Sequence, residues 1–213
     1  MKKITLFAGH YGSGKTSIVV SYAKYLKKNG EKVKIIDLDI VNPYFRTKDS
    51  EEDLKKYGIE VISSEYANTN LDAPALPKEI YGVLSETDTH LIIDVGGDDR
   101  GAVALGRYTP DIINEDYDMF FVANCYRPLT KTAEDAFEIM KEIEVASKLP
   151  FTAIVNNSNI GDFTTEEDIK KSEAYINKLS ELSGLPVAMT TSVQKANVKN
   201  NFIIKLQSKY YAV

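Results

Sequence analysis

The sequence predicts a three-layer α/β/α fold around a mostly parallel sheet of about seven strands. Short apolar, β-branched runs alternate with longer segments of helical spacing. Glycines close several of those helical segments, and a glycine-rich turn joins the first strand to the first helix. The 213 residues are 43% hydrophobic and 27% charged, the balance of a folded chain and not of a disordered one. A chain of this length buries roughly 70% of the surface its unfolded state exposes, so one domain over residues 1–213, without disulfides or a structural metal, is the expected organisation.

Lys3 to Ala8 reads as the first strand. Thr16 to Asn29 follows as a helix, with Ile18, Val19, Tyr22, Tyr25 and Leu26 near helical spacing and Gly30 as its stop. Val33 to Leu38 is the second strand. Ser50, followed by Glu51, Glu52 and Asp53, reads as a helix N-cap with acids in the first turn, and Gly58 ends that helix before the strand Ile59 to Ile62. Ser63 to Pro77 is the least regular stretch and reads as a surface loop. His90 to Val95, Met119 to Asn124, Phe151 to Asn156 and Val187 to Thr191 are four more strands, several apolar throughout, as strands covered on both faces should be. Between them lie the helices Thr132 to Ser147 and Thr165 to Ser183. In such a doubly wound sheet, ligands sit at the carboxyl ends of the strands.

Composition excludes several function classes. The net charge of −5, from 26 basic and 31 acidic residues, supplies no global positive field for a nucleic-acid backbone, so nucleic acid is not the expected partner. Apolar runs fall short of the ~20 residues of a membrane helix, and Met1-Lys2-Lys3 leads straight into the first strand, so neither stable membrane insertion nor a cleaved leader is expected. Phe202 to Tyr211 reads as a last helix docking its apolar face on the domain, with an amphipathic membrane contact as the other reading. Cys125 is the sole cysteine, which rules out an internal disulfide or a four-cysteine metal site and fits a reducing cytoplasm. It reads as a small apolar strand-end residue.

Gly9-His10-Tyr11-Gly12-Ser13-Gly14-Lys15-Thr16 matches G-x-x-x-x-G-K-[ST] and lies between the first strand and the first helix, where its mechanism requires. Glycines let the backbone wrap closely around phosphates, and the following helix start, including Ser17, adds positive potential. Lys15 is placed to reach the β- and γ-phosphates and the Thr16 hydroxyl to coordinate Mg²⁺. Two further segments end predicted strands in acids. Asp37-Leu38-Asp39 puts two carboxylates on one strand face, suited to a magnesium shell or an attacking water. Asp94-Val95-Gly96-Gly97 is a D-x-x-G turn, suited to an indirect magnesium contact through Asp94 and a γ-phosphate contact through the Gly97 amide.

On these three segments the chain resembles the SIMIBI-class P-loop NTPases of the MinD/ParA/Mrp/CobQ-CobB-like superfamily, over essentially its whole length. The resemblance implies ATP and Mg²⁺ as ligands, Asp39 as the residue orienting the hydrolytic water, and Asn156 as the residue reading adenine. It also implies a homodimer formed across two nucleotides and an unidentified protein partner for a nucleotide-dependent switch or assembly factor. The family's signature lysine at the second loop position is replaced here by His10, and Tyr11 stands where glycine is usual. The lysine that crosses the dimer is therefore missing, and slow or partner-dependent hydrolysis is the expectation. His10, if protonated, is a candidate for part of that role, and the other reading is a polar neighbour of the loop.

Asn42 to Arg46 and Asp98 to Gly101 follow the acidic segments and read as loops that respond to the γ-phosphate. Tyr44 and Phe45 read equally as a partner contact or as packing against the sheet, while Arg46, Arg100 and Arg127 are candidate ligands for phosphate or an acidic partner, with a solvated or ion-paired surface arginine as the other reading. Two other readings use the same loop. The wording G-S-G-K-T-S resembles GTP-dependent metallochaperones for nickel enzymes, but Asn156-Asn157-Ser158-Asn159 lacks the lysine and aspartate of a guanine-reading N-K-x-D. Dethiobiotin synthetase and cobalamin amidases share the superfamily and activate a carboxylate, which would require an acceptor site beside the γ-phosphate.

Overall fold

The computed structural model describes residues 3–39, 50–63, 79–97 and 99–206. In chain order the elements are β1 (Ile4–Ala8), α1 (Lys15–Lys28), β2 (Val33–Leu38), α2 (Glu51–Lys56), β3 (Glu60–Ser63), α3 (Glu79–Leu84), β4 (His90–Val95), α4 (Asp99–Gly106) and α5 (Thr109–Ile112). They continue with β5 (Tyr117–Ala123), α6 (Ala133–Ser147), β6 (Ala153–Asn156), α7 (Glu166–Lys171), α8 (Glu173–Ser183), β7 (Val187–Ser192) and β8 (Asn201–Ile203). The strands form one sheet in the order β3-β2-β4-β1-β5-β6-β7-β8, with every pairing parallel. β1 lies between β4 and β5, where the winding direction reverses, so the crevice for a ligand opens at its carboxyl end.

Strand alternation divides the core into two layers. Ile4, Leu6 and Ala8 pack with Leu91, Ile93, Met119 and Phe121 beneath Leu105, Met140, Ile176 and Leu179. Phe7 faces the other way, with Ile35, Ile92, Val122 and Val155 beneath Ile18, Val19, Ala23 and Leu26 of α1. Both faces are covered, which is why β1, β4 and most of β5 are buried throughout and mainly apolar, with Thr5, His90 and Asp94 as buried polar exceptions. No helix among the described residues is long and apolar enough to cross a membrane.

Several expectations are corrected. Phe202 to Tyr211 does not begin as a helix: Asn201–Ile203 is an eighth strand on the edge of β7, and Phe202 packs edge-on against Tyr22 and Tyr25 of α1. Pairing with β7 outweighs the helical spacing of this stretch, whose residues from 207 on lie outside the described ones. Thr165 to Ser183 is not one helix but α7 and α8, divided at Ser172. The Ser172 hydroxyl donates to Ile169 O at 2.6 Å and accepts from the Asn156 side chain at 2.9 Å, and such back-bonding competes with the helical ladder. Asp98 to Gly101 is not a free loop either, because α4 begins at Asp99. A Cβ at Gly101 would lie 2.5 Å from Gly96 Cα, so glycine lets the helix sit directly on the end of β4. α3, α4 and α5 are helices beyond those the sequence pattern predicts. The segments 40–49 and 64–78, which include Tyr44, Phe45 and Arg46, lie outside the described residues, as does Asp98.

At the opposite, amino end of the sheet, His90 is buried with its Nε2 2.9 Å from Thr5 Oγ1. Burial pushes its imidazole below the ordinary value of 6.5, against the opposing pull of Glu31 and Asp118. The unfolded chain then binds this proton more readily than the fold does. His90 therefore contributes full stability above pH 6.5, and that contribution falls as pH drops below it. Denaturant unfolding followed across this window should show His90→Asn with a flatter pH dependence than the parent chain; identical slopes would remove His90 as its source.

Candidate functional site

Residues 9–14 leave β1 and wrap over its carboxyl end before α1 begins at Lys15. α1 has no acid in its first turn and no side-chain cap, whereas α2, α6 and α7 all open on acids. An acid-free helix start retains its positive potential for an outside anion. Gly14 enters α1 in the left-handed conformation, with φ 90°, and a Cβ there would overlap Asn157 Nδ2. Two separate constraints thus require glycine at this position.

Lys15 is only 6% exposed. Its amine curls back over the turn, donating to Gly9 O at 3.0 Å and to His10 O at 3.3 Å. On the next residue, the Thr16 hydroxyl donates to Asp94 Oδ2 at 2.8 Å, linking the start of α1 to the end of β4. Asp94 is fully buried and stands in register with Asp37 on the adjacent strand, so both carboxylates face the α1 side. Asp37 Oδ1 also accepts the Asp39 backbone N–H at 3.0 Å, which turns the chain at the end of β2 and leaves Asp39 just past the strand, buried. Lys15, Thr16, Asp37, Asp39 and Asp94 are therefore gathered at one end of three neighbouring strands.

The D-x-x-G turn closes the other side. Tyr11 N donates to Gly97 O at 3.0 Å, and a Cβ at Gly97 would lie 2.6 Å from Tyr11 N and 2.8 Å from Lys15 Nζ. His10 Nδ1 lies 3.0 Å from Tyr11 O. A carbonyl oxygen only accepts, so Nδ1 carries a proton and Nε2 is the nitrogen left for other contacts. Tyr11 itself is 51% exposed at the rim.

The resemblance points to Asn156, the last residue of β6, and not to its neighbour Asn157. Asn156 is buried, its amide donating to Ser172 Oγ and its Oδ1 accepting from Ser158 N at 3.2 Å. Asn157, fully buried, is the residue that meets the glycine-rich turn: its amide donates to Ser13 O at 2.5 Å, and its Oδ1 accepts from Thr191 Oγ1 of β7. Polar residues following the apolar run of β6 were the available signal. Beyond β7, Asn197 N donates to Glu166 Oε2 at 3.3 Å. The Glu166 carboxyl is held below its ordinary range first by Lys170 and then by that amide.

Cys125 and Arg127 follow β5 at this same end of the sheet, and Arg100 lies exposed on α4. His90, on the amino end of β4, is not brought near Cys125 or His10. The family model of the CobQ/CobB/MinD/ParA nucleotide binding domain matches residues 4–195.

The chain belongs to this family.

Solved structures agree on the fold. FtsY from Mycoplasma mycoides has a TM-score of 0.61 at 18% identity, covering 90% of this chain and 61% of that one. FtsY from Thermotoga maritima has 0.61 at 19%, covering 98% and 66%. FlhF complexed with GTP/Mg(2+) has 0.55 at 19%, covering 92% and 68%. The chain thus spans about three fifths of the length of the Mycoplasma protein. No curated protein matches it in sequence. The expected P-loop fold and superfamily are both found, and this is a nucleotide-binding domain of the MinD/ParA type.

Gly97→Ala should drive the D-x-x-G turn away from Tyr11, because the added methyl meets backbone as well as the Lys15 amine. Urea unfolding should show a loss of about 1–3 kcal/mol, with faster hydrogen exchange at the Tyr11 amide. Parent-like values for both would show that the two turns are not packed as described.

Proposed function

We propose that residues 1–213 form one nucleotide-binding domain that takes ATP with Mg²⁺, hydrolyses it slowly, and acts as a nucleotide-dependent switch or assembly factor. The observation that carries this reading is the convergence of Lys15 and Thr16, at an acid-free helix start, with Asp37 and Asp94 on paired strands. Lys15 exchanges its bonds to Gly9 O and His10 O for phosphate oxygens, a replacement of weaker acceptors by charged ones. The remaining loop residues, from Gly9 to Gly14 and on to Ser17, line the phosphates, and the Gly97 amide meets the last of them.

The donor set suits magnesium, which takes one or two carboxylates and completes its shell with water and phosphate oxygens. Thr16, Asp37 and Asp94 are hard oxygen donors of that kind, already joined by the Thr16–Asp94 bond and the Asp37–Asp94 register. Bound there, the ion would offset negative charge on the phosphates. Asp39, just beyond β2, orients the attacking water. ATP is favoured over GTP because the segment 156–159 lacks the lysine and aspartate of a guanine-reading pattern; the segment adjoining Asn156 reads adenine, and Asn156, engaged with Ser172 and Ser158, anchors it. His10 in place of the family's lysine supports slow or partner-dependent turnover, and the dimer and its protein partner remain part of this proposal.

Equilibrium binding and phosphate release test it together. Lys15→Ala should abolish nucleotide binding, and unchanged affinity would overturn the phosphate site. Asp39→Ala should leave affinity nearly unchanged while slowing release by about a hundredfold or more, the scale of losing a positioned general base; equal rates would remove Asp39 from the mechanism.

A further inference from the structure

The glycine-rich turn has a cationic neighbour that its own motif does not supply. β5 pairs with β1 through Ala8 and Phe121, so the loop leaving β5 runs beside residues 9–14. That loop is braced: Arg127 N donates to Asn124 O at 3.2 Å, Thr130 N donates to Arg127 O at 3.2 Å, and the Thr130 hydroxyl donates to Asn124 O at 2.8 Å. Pro128 follows and holds Arg127 in extended backbone, with φ −102° and ψ 137°. From this fixed base the Arg127 side chain reaches toward the turn. Its Nε and Cδ lie 3.8 and 4.0 Å from the place a Cβ would occupy on Gly12. The residue is exposed, and among the described residues its guanidinium makes no hydrogen bond or ion pair.

Charge balance gives this arginine a purpose. At the strand ends Lys15 is the one buried cation among the described residues, and Asp37, Asp39 and Asp94 are three buried carboxylates. A phosphate tail adds further negative charge to a site already weighted that way. The second loop position holds histidine, so no second lysine offsets it. A guanidinium is permanently charged, and its planar fork binds phosphate oxygens two at a time.

We propose that Arg127 contacts the phosphate tail of a nucleotide held by Gly9–Thr16 of the same chain, supplying from the β5 loop the cation the glycine-rich turn lacks. This deepens the nucleotide-site reading and rests on it. The test is calorimetric titration with Mg²⁺ and ATP, ADP or adenosine, at low and high salt, on the parent chain, Arg127→Ala, Arg127→Gln and Arg127→Lys. Arg127→Ala should weaken ATP by about tenfold or more, the scale of one lost charge-assisted bond, and flatten its salt dependence. Adenosine affinity should stay unchanged, and Arg127→Lys should fall between parent and Ala. Arg127→Gln keeps the stem without the charge and carries the test if the alanine variant does not fold. Parent-like ATP affinity in Arg127→Gln, with binding lost in Lys15→Ala, would overturn the arginine's role and leave the nucleotide site standing. A parent chain that binds no nucleotide would overturn both.

Discussion

Between Gly9 and Thr16 the backbone is held from three sides. Asn157 grips Ser13 from β6, Gly97 meets Tyr11 from the end of β4, and Asp94 takes the Thr16 hydroxyl where α1 begins. Two of these contacts come from the carboxyl end of β4 and one from just beyond β6, and they meet at the turn because β1 lies at the reversal point of the sheet. The parallel winding that buries both faces is therefore also what assembles the site.

Electrostatics follows from that packing. Burying Lys15 with three carboxylates is costly unless each is held by hydrogen bonds or counter-charge. The fold meets part of this need itself, through loop carbonyls for the lysine, the Thr16 hydroxyl for Asp94 and the Asp39 amide for Asp37. In the proposed site a divalent cation with phosphate oxygens suits this group, since it brings positive charge to the carboxylates and negative charge to the lysine. The acid-free start of α1 belongs to the same logic, since other helices here open on acids that would repel phosphate.

Much of this was legible in the residues. β2 and β4 run as the apolar pattern indicates, and the G-x-x-x-x-G-K-[ST] run falls on the expected strand-to-helix turn, because close backbone approach leaves a glycine signature. Elements fixed by tertiary contact were not legible. The strand at Asn201–Ile203 competes with a helical spacing and is decided by the edge of β7 and the aromatic rings of α1. The break at Ser172 depends on an asparagine from β6, sixteen positions away. Asn157 carries no pattern of its own, and its hold on the glycine-rich turn comes from a separation of 144 residues in sequence. The reach of Arg127 to Gly12 is equally long-range, so the sequence gives its residue type and not its neighbour.

Calorimetric titration of the intact chain with ATP and with GTP, each with and without Mg²⁺, addresses the central claim most directly. The account predicts saturable binding of ATP in preference to GTP, with affinity that depends on Mg²⁺. Equal or stronger binding of GTP would contradict the base assignment, and absence of binding to either nucleotide would contradict the site itself.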